Sequence, residues 1–261
     1  MRTVIFTLVL ILMPSAFALA KVQTQAISYQ HGEVQLEGIL AWDDSITGKR
    51  PGILVVHEWW GLNDYARDRA RQLAQLGYVA FAADMYGKDK ITVHPDQAGA
   101  WMKQVQANVS QWQARAIKGL AVLRSQEQVD PKNIAAIGYC FGGATVIQLA
   151  YSGEEIKGAV SFHGALPLPI GKQATKVKTK ILIAHGNADP FQKEDHIRKF
   201  RNALDKANVD WQMVFYAGAR HSFTDPGADA RGMDALKYDQ AADVRSWKHM
   251  QLFFDEIFLT P

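Results

Sequence analysis

The stretch IAAIGYCFGG, residues 134–143, decides the fold class of this chain. An apolar run leads into Gly-x-Cys-x-Gly, and a segment of helical character follows. This pattern is typical of a strained strand-to-helix turn that presents a nucleophile, with cysteine in place of the usual serine. The flanking glycines let strand and helix pass closely, and the helix N-terminus favours negative charge. The pattern therefore predicts that Cys140 is a nucleophile; the alternative is a buried cysteine in a glycine-rich turn.

Short apolar runs alternate with segments of helical period on both sides of this turn, which indicates βαβ units. Strands are predicted at 52–58, 78–84, 133–139, 157–163, 180–185 and 210–216. Helices are predicted at 63–76, with Asn63 as its N-cap, and at 96–125, 142–151, 192–207 and 241–258. An alternating pattern over 26–42 predicts an antiparallel hairpin. The sequence therefore predicts one α/β domain: a doubly wound, mostly parallel sheet with helices on both faces and an N-terminal antiparallel hairpin.

The composition is that of a globular protein, with 261 residues, 48% hydrophobic residues and a formal net charge of +3. Basic and acidic residues are interspersed over 193–205, so no basic stripe for nucleic acid is present in the sequence. The sequence has no internal repeat, and it has no linker long enough to separate a second domain. We therefore expect residues 21–261 to form a single domain that does not bind nucleic acid, with a monomer as the default state.

The N-terminus has the pattern of a secretory signal peptide. Arg2 precedes an apolar run from Val4 to Met13, and the small-residue pattern Ala18-Leu19-Ala20 follows. A membrane anchor is the alternative, but spanning a bilayer needs about 20 apolar residues. We therefore expect residues 1–20 to be a cleaved signal peptide. The mature protein would be exported without a stable membrane anchor, to the periplasm if the source is a Gram-negative bacterium.

Two residues after Cys140 complete a candidate catalytic triad. Asp189 follows the predicted strand 180–185, and His221 follows the predicted strand 210–216. A thiolate nucleophile needs a base within reach and an acid to orient that base, and this order of nucleophile, acid and histidine suits the turn. The carboxyl ends of parallel strands meet at one edge of the sheet. We therefore predict a Cys140–His221–Asp189 triad; a turn aspartate and an exposed loop histidine are the alternatives.

The segment His-Glu-Trp-Trp-Gly, residues 57–61, leaves the first long strand beside the predicted turn. The backbone N–H groups of Phe141 and Trp59 are predicted to form an oxyanion hole. Glu58 can hold a proton near the thiol and change its reactivity, whereas a surface glutamate is the alternative. Aromatic residues at these loops are candidates for the walls of a substrate pocket, with a core role as the alternative: Trp59, Trp60, Tyr86, Trp101 and Phe223.

Other polar residues at strand ends are rivals for these roles. Asp84 is a second candidate acid, although it is first interpreted as part of a strand-ending turn. His57, His163 and His185 are interpreted as buried or hydrogen-bonded structural residues. No metal is expected, because His-x-x-x-His, a cysteine pair and a carboxylate-rich loop are all missing from the sequence.

Together these residues resemble the dienelactone hydrolase family, also called carboxymethylenebutenolidases, of the α/β-hydrolases. The resemblance extends from about Ile53 to Phe258. It is carried by five segments: HEWWG at 57–61, DMYG at 84–87, GYCFGG at 138–143, GNAD at 186–189 and HSF at 221–223.

The resemblance implies an α/β-hydrolase fold and hydrolysis of a small-molecule ester or lactone without a cofactor. It implies the triad of Cys140, His221 and Asp189, and it matches Glu58 to the family glutamate that interacts with the resting thiol and helps to activate it. In that family an arginine shortly after His-Ser-Phe helps to hold the substrate carboxylate, whereas this chain has Thr-Asp-Pro at 224–226. The resemblance therefore does not extend to dienelactone itself as the substrate.

Two other functional classes are consistent with parts of the sequence. One is an exported α/β domain that binds a small ligand or a partner without catalysis, with the turn kept for structural reasons. The other is a redox-sensitive protein in which Cys140, the single cysteine of the chain, forms a sulfenic acid and then an intermolecular disulfide. Neither class requires Asp189 and His221 at their strand ends.

Overall fold

A computed structural model describes residues 22–259 of the chain. Eight strands form one mixed sheet. They are β1 (Val22–His31), β2 (Val34–Asp43), β3 (Arg50–Val56), β4 (Val79–Ala83), β5 (Val129–Tyr139), β6 (Gly158–Phe162), β7 (Lys180–Gly186) and β8 (Trp211–Tyr216). Their order across the sheet is β1-β2-β4-β3-β5-β6-β7-β8. Strands β3 to β8 pair in parallel, while β1 and β2 form an antiparallel hairpin that joins β4. The predicted mostly parallel sheet with an N-terminal hairpin is confirmed.

Six α-helices cover the two faces of the sheet. They are α1 (Asp64–Gln75), α2 (Pro95–Gln106), α3 (Val109–Arg124), α4 (Phe141–Ser152), α5 (Glu194–Lys206) and α6 (Gln240–Leu259). Successive side chains of a strand point to opposite faces, and β3 shows this directly. Its Ile53 and Val55 belong to the core under α1 and α6, whereas Leu54 and Val56 belong to the core under α3, α4 and α5. Both faces of the sheet are therefore buried.

The single helix predicted over 96–125 is wrong, because the structure has two helices there. The break falls at Ala107 and Asn108, and the Asn108 side chain accepts a hydrogen bond from the Gln111 N–H at 3.0 Å, which caps α3. Apolar positions continue with helical spacing on both sides of the break, so periodicity alone does not reveal it. The N-cap of α1 is as predicted, since Asn63 accepts from the Ala66 N–H at 3.3 Å.

The predicted signal peptide, residues 1–20, lies outside the described residues. Between Val22 and Leu259, no helix combines the length and the apolar character needed to cross a membrane.

Candidate active site

The strand β5 and the helix α4 meet at Cys140 in a strained turn. Cys140 has φ 52° and ψ −112°, a backbone conformation that non-glycine residues rarely adopt. A Cβ atom on Gly138 would lie 2.1 Å from the Gly142 carbonyl oxygen, and one on Gly142 would lie 2.1 Å from the Val56 carbonyl oxygen. The two glycines are therefore required by the close approach of backbone to backbone. The turn leaves the Cys140 side chain partly exposed at the carboxyl edge of the sheet.

The loops after β7 and β8 bring Asp189 and His221 together beside Cys140. The His221 Nδ1 and Asp189 Oδ2 atoms are 2.7 Å apart, and both side chains are buried. The second carboxylate oxygen of Asp189 accepts a hydrogen bond from the Phe191 N–H at 2.9 Å, which fixes the carboxylate. With Nδ1 directed at Asp189, the Nε2 atom of the imidazole is left for the Cys140 side chain, which lines the same cavity.

The electrostatic surroundings of His221 favour its charged form. Burial by itself lowers the pKa of His221, but the negative charge of Cys140 and the hydrogen bonds to Asp189 and Cys140 outweigh burial. The pKa of His221 is therefore raised well above its ordinary value. A protonated imidazole beside a cysteine stabilises a thiolate, so the arrangement favours an activated sulfur.

Glu58 is buried behind this pair, so the alternative of a surface glutamate is wrong. Its Oε1 atom accepts a hydrogen bond from the Ser222 hydroxyl at 2.8 Å and lies 3.8 Å from the Nδ1 atom of His163. Burial and the charge of Asp225 raise the pKa of Glu58 to about 7, against smaller effects of its hydrogen bond and nearby cations. Within residues 22–259, Glu58 makes no hydrogen bond to Cys140; its hydroxyl partner is the residue next to His221.

His163, interpreted from the sequence as a structural residue, is in direct contact with Cys140. The Cys140 N–H donates to the Phe162 carbonyl at 3.0 Å and to the Nδ1 atom of His163 at 3.2 Å. Because Nδ1 accepts, Nε2 carries the proton and donates to the Thr224 hydroxyl at 2.7 Å; that hydroxyl lies 2.5 Å from the Tyr65 hydroxyl. A polar residue at the end of β6, the strand next to β5, is the signal that could have identified it.

The charge state of His163 follows from its position. Burial lowers the pKa of His163 well below its ordinary value, and the nearby cationic groups of His221 and Arg69 lower it further. His163 therefore stays neutral and fixes the backbone of Cys140 without adding charge.

The two residues predicted to supply the oxyanion donors lie at the cavity beside Cys140. The Phe141 N–H is the first of helix α4 and has no partner within the helix. The Trp59 N–H donates to no acceptor in the part of the chain that the structure describes. Phe141 and Trp59 line the same cavity as the thiol. The arrangement is suited to an oxyanion beside Cys140.

A cavity of about 240 Å³ opens at Cys140 and His221. Most of its other lining residues are apolar and come from α2, α4, the loops after β3, β6 and β7, and the segment 233–236: Trp59, Met102, Gln106, Phe141, Ala144, Ala165, Phe191, Gln192, Met233 and Leu236. A second cavity of about 470 Å³ adjoins it across Phe191 and Gln106 and reaches Lys193 and His196.

Three aromatic residues predicted to bind substrate do not line the cavity, which corrects their assignment. Trp60, Tyr86 and Phe223 are 1%, 3% and 0% exposed and belong to the core beneath the loops. The Trp60 ring packs against the Arg231 guanidinium, 4.5 Å from the ring centroid. Large aromatic side chains at strand ends fill the space under the loops, so only Trp59 of this group lines the cavity.

The rival residues serve other purposes. Asp84 closes a turn by accepting from the Tyr86 and Gly87 N–H groups at 2.8 and 3.0 Å. His57 accepts from the Met85 N–H at 3.1 Å, and His185 is buried. Among residues 22–259, no group of three or more histidine, cysteine, aspartate or glutamate side chains is arranged to hold a metal ion.

The eight-stranded sheet, the turn at Cys140 and the loops that meet there define an α/β-hydrolase. The chain belongs to the dienelactone hydrolase family, whose sequence profile matches residues 36–258. It is similar to the crystal structure of P91, a dienelactone hydrolase-like promiscuous phosphotriesterase from metagenomic libraries, with 36% identity, a TM-score of 0.88 and coverage of 90% of this chain and 98% of P91.

Two further relatives agree with this membership. The solved protein called m3DLH is 40% identical, with a TM-score of 0.88 over 91% of this chain and 99% of its own. A Yersinia pestis protein provisionally named carboxymethylenebutenolidase is 26% identical over 234 residues, 85% of this chain and 84% of the relative. The chain is therefore a hydrolase whose substrate is a small molecule.

Proposed function

We propose that this chain is an exported hydrolase of carboxylic esters or lactones in which Cys140 is the nucleophile. The observation that carries the proposal is the arrangement at the strand ends. Cys140 stands on a strained turn, His221 lines the same cavity as Cys140, and the Nδ1 atom of His221 is 2.7 Å from Asp189. These are the positions required of a nucleophile, a base and an orienting acid.

The first half of the reaction forms an acyl-enzyme. The Cys140 thiolate adds to the ester carbonyl, and the Phe141 and Trp59 N–H groups stabilise the oxyanion. The tetrahedral intermediate then collapses, the C–O bond to the alcohol breaks, and His221 donates a proton to the leaving oxygen. A thioester between Cys140 and the acyl group results.

The second half of the reaction returns the enzyme to its starting state. His221 takes a proton from water, the hydroxide adds to the thioester carbonyl, and the C–S bond breaks. The acid leaves and Cys140 is restored as the thiolate beside protonated His221. Asp189 holds the imidazole tautomer through both halves. A lactone follows the same steps, with its alcohol tethered to the acid.

The test is hydrolysis of short-chain p-nitrophenyl esters by the mature protein, with and without prior iodoacetamide. We expect turnover to fall in proportion to alkylation of Cys140, which mass spectrometry locates. Cys140→Ala is expected to remove turnover while the cooperative unfolding transition persists. Turnover retained by that variant would overturn the proposal, whereas Cys140→Ser is less decisive because a hydroxyl can sustain weak esterase activity.

The two other classes predict different results in the same assay. A binding domain would show a labelled thiol and no turnover of any ester. A redox-sensitive protein would form a sulfenic acid with peroxide and then a disulfide-linked dimer.

Export is supported by the sequence pattern of residues 1–20 alone. We expect expression with the native N-terminus in a Gram-negative host to yield a periplasmic protein that begins near residue 21. N-terminal sequencing of the fractionated protein checks this, and an uncleaved cytoplasmic product would contradict it.

Hydrolysis of neutral phosphotriesters is a second candidate reaction. It is favoured by the similarity to P91 over 90% of the chain, together with the apolar cavity beside Cys140. Paraoxon is the probe: release of p-nitrophenol that is lost in Cys140→Ala would support this reaction.

A further inference from the structure

The cavity beside Cys140 has an unusual charge distribution for the site of a hydrolase. Within the described part of the chain, neither lysine nor arginine lines it. Among the described residues that line it, the polar side chains besides Cys140 and His221 are the neutral amides of Gln106 and Gln192 and the indole of Trp59. The one cationic group there is the His221 imidazole, which Asp189 already compensates at 2.7 Å, so a carboxylate placed in the cavity would lose its water without gaining an unpaired cation.

Two arginines near the site, the buried Arg69 and the partly exposed Arg231, are engaged elsewhere. The Arg231 guanidinium packs on the Trp60 ring. Arg69 is bonded to the Thr224 carbonyl at 2.7 Å and to Asp243 at 2.5 Å. Neither Arg231 nor Arg69 therefore serves as a counter-ion for an acid inside the cavity.

Buried acids lie on the same side of the molecule as the cavity. Asp189 contacts His221, and Glu58 contacts the neighbouring Ser222. An anionic acyl group would therefore be desolvated beside a carboxylate that already compensates the one imidazolium of the cavity, whereas a neutral apolar group would carry no such penalty.

We infer that the enzyme selects substrates whose acyl group is uncharged, and that it discriminates against esters whose acyl chain ends in a carboxylate. This inference rests on the proposed ester or lactone hydrolysis and names the substrate class of the same site. The cavity volume of about 240 Å³ suits a short acyl chain, because pockets for drug-sized ligands measure roughly 300–1,000 Å³. The adjoining cavity across Phe191 has room for the part of the substrate that lies outside the acyl chain.

A matched pair of esters tests the inference. p-Nitrophenyl valerate and mono-p-nitrophenyl glutarate have acyl chains of equal length. The valerate chain ends in a methyl group, whereas the glutarate chain ends in a carboxylate. We expect kcat/KM for the glutarate ester to be lower by about 100-fold or more. The methyl ester of the glutarate compound, which is neutral and longer, is expected to recover most of that loss. Equal kcat/KM for valerate and glutarate would overturn the inference.

A charge introduced into the cavity gives a second test. Gln106 is at the end of α2, is partly exposed and lines both cavities, so a cation there remains compatible with folding. We expect Gln106→Arg to raise the glutarate-to-valerate ratio of kcat/KM by about 10-fold or more. Gln106→Met, of similar size and without charge, is expected to leave that ratio low. The same ratio in both variants would count against the inference.

Failure of the proposed function is distinguished by a measurement that needs no turnover. The p-nitroanilides of valeric acid and of glutaric acid are compared as protectants of Cys140 against iodoacetamide. Protection by the valeric compound alone supports the inference even if no ester is hydrolysed, in which case only the proposed function fails. Equal protection by both, or stronger protection by the glutaric compound, overturns the inference.

Discussion

Cys140 and two residues close to it hold backbone conformations that are ordinarily left to glycine. Cys140, His163 and Ser222 have φ values of 52°, 40° and 54°. Each such conformation costs about 1–3 kcal/mol and persists only when the surrounding structure fixes it. Here the hydrogen bonds from Cys140 to His163 and from Ser222 to Glu58 do so. Stability is lost at these residues in return for the placement of the reacting groups.

Glu58→Gln tests the buried acid through the pH dependence of stability. The pKa of Glu58 is raised by burial to about 7 in the folded protein, whereas in the unfolded chain it is roughly 4.3. The folded state therefore binds the Glu58 proton more tightly than the unfolded chain does. The resulting stabilisation of the folded state is complete below about pH 4.3 and is lost as the pH rises through 7.

We expect the free energy of unfolding of the native protein to fall, relative to Glu58→Gln, on the order of 3 kcal/mol between pH 4.5 and 8. Urea unfolding across that pH range measures the difference. Glu33→Gln, on the exposed turn between β1 and β2, is the control and should show no such trend. A constant difference between the native protein and Glu58→Gln would show that Glu58 does not titrate in this range.

The sequence predicted some of the individual residues of the site and missed others. Order along the chain and position after strands are local properties, and they placed Cys140, Asp189 and His221 together. The burial of Glu58 and the contact of His163 with the nucleophile depend on long-range packing, so neither was apparent. The core positions of Trp60, Tyr86 and Phe223 were missed for the same reason.

The turn from β5 to α4 is the element that positions Cys140. Its glycines allow the first turn of α4 to pass over the end of β5 and against β3. The Gly-x-Cys-x-Gly pattern predicted this element because its steric requirement lies within a few residues. The break between α2 and α3 escaped prediction because a single asparagine cap decides it.

Gly138→Ala tests the close approach in this turn. A Cβ there would overlap the Gly142 carbonyl, so strand and helix must separate. We expect a loss of stability of about 1–3 kcal/mol and a fall in ester turnover. Urea unfolding and p-nitrophenyl ester hydrolysis measure the two effects.

Gly99→Ala is the matched control, since a Cβ at Gly99 on α2 meets only the Trp59 ring at 3.8 Å. We expect unchanged stability or a gain of up to about 1 kcal/mol from helix propensity. If Gly138→Ala behaved like this control, the steric account of the turn would be wrong.

Across the whole molecule, one buried cation joins parts of the chain that are far apart in sequence. Arg69 on α1 donates to Asp243 on α6 and to the Thr224 carbonyl in the loop that follows His221. Its guanidinium also packs on the rings of Tyr65 and Trp247. The C-terminal helix and the histidine loop are therefore held to the same face of the sheet.

Arg69→Met is expected to destabilise the protein by about 3 kcal/mol, because it removes the buried guanidinium and leaves the partly buried Asp243 without its cationic partner. Removing both groups in Arg69→Met/Asp243→Leu should recover part of this loss. Arg67→Met breaks only an exposed pair with Asp64 and should cost about 1 kcal/mol or less. Urea unfolding of the four proteins checks the order, and equal effects at positions 67 and 69 would contradict it.

The arrangement of strands was predictable in outline, whereas the assembly of the pocket was not. Alternating strands and helices indicated a parallel sheet from local pattern alone. Met102, Met233 and Leu236 reach the cavity from α2 and from the segment after β8, and nothing in their spacing marks them as neighbours of Cys140. Their meeting is a property of the tertiary fold.

The residues of the triad and the walls of the pocket come from different parts of the fold, and this separation affects how such enzymes diverge. Cys140, His221 and Asp189 are anchored at strand ends, but Met102 and Gln106 on α2, with the 233–236 segment, shape the cavity. Mutations can accumulate in those walls without disturbing the sheet or the three residues at its edge. One scaffold can thereby supply descendants with new substrate ranges while the residues at the strand ends stay in place.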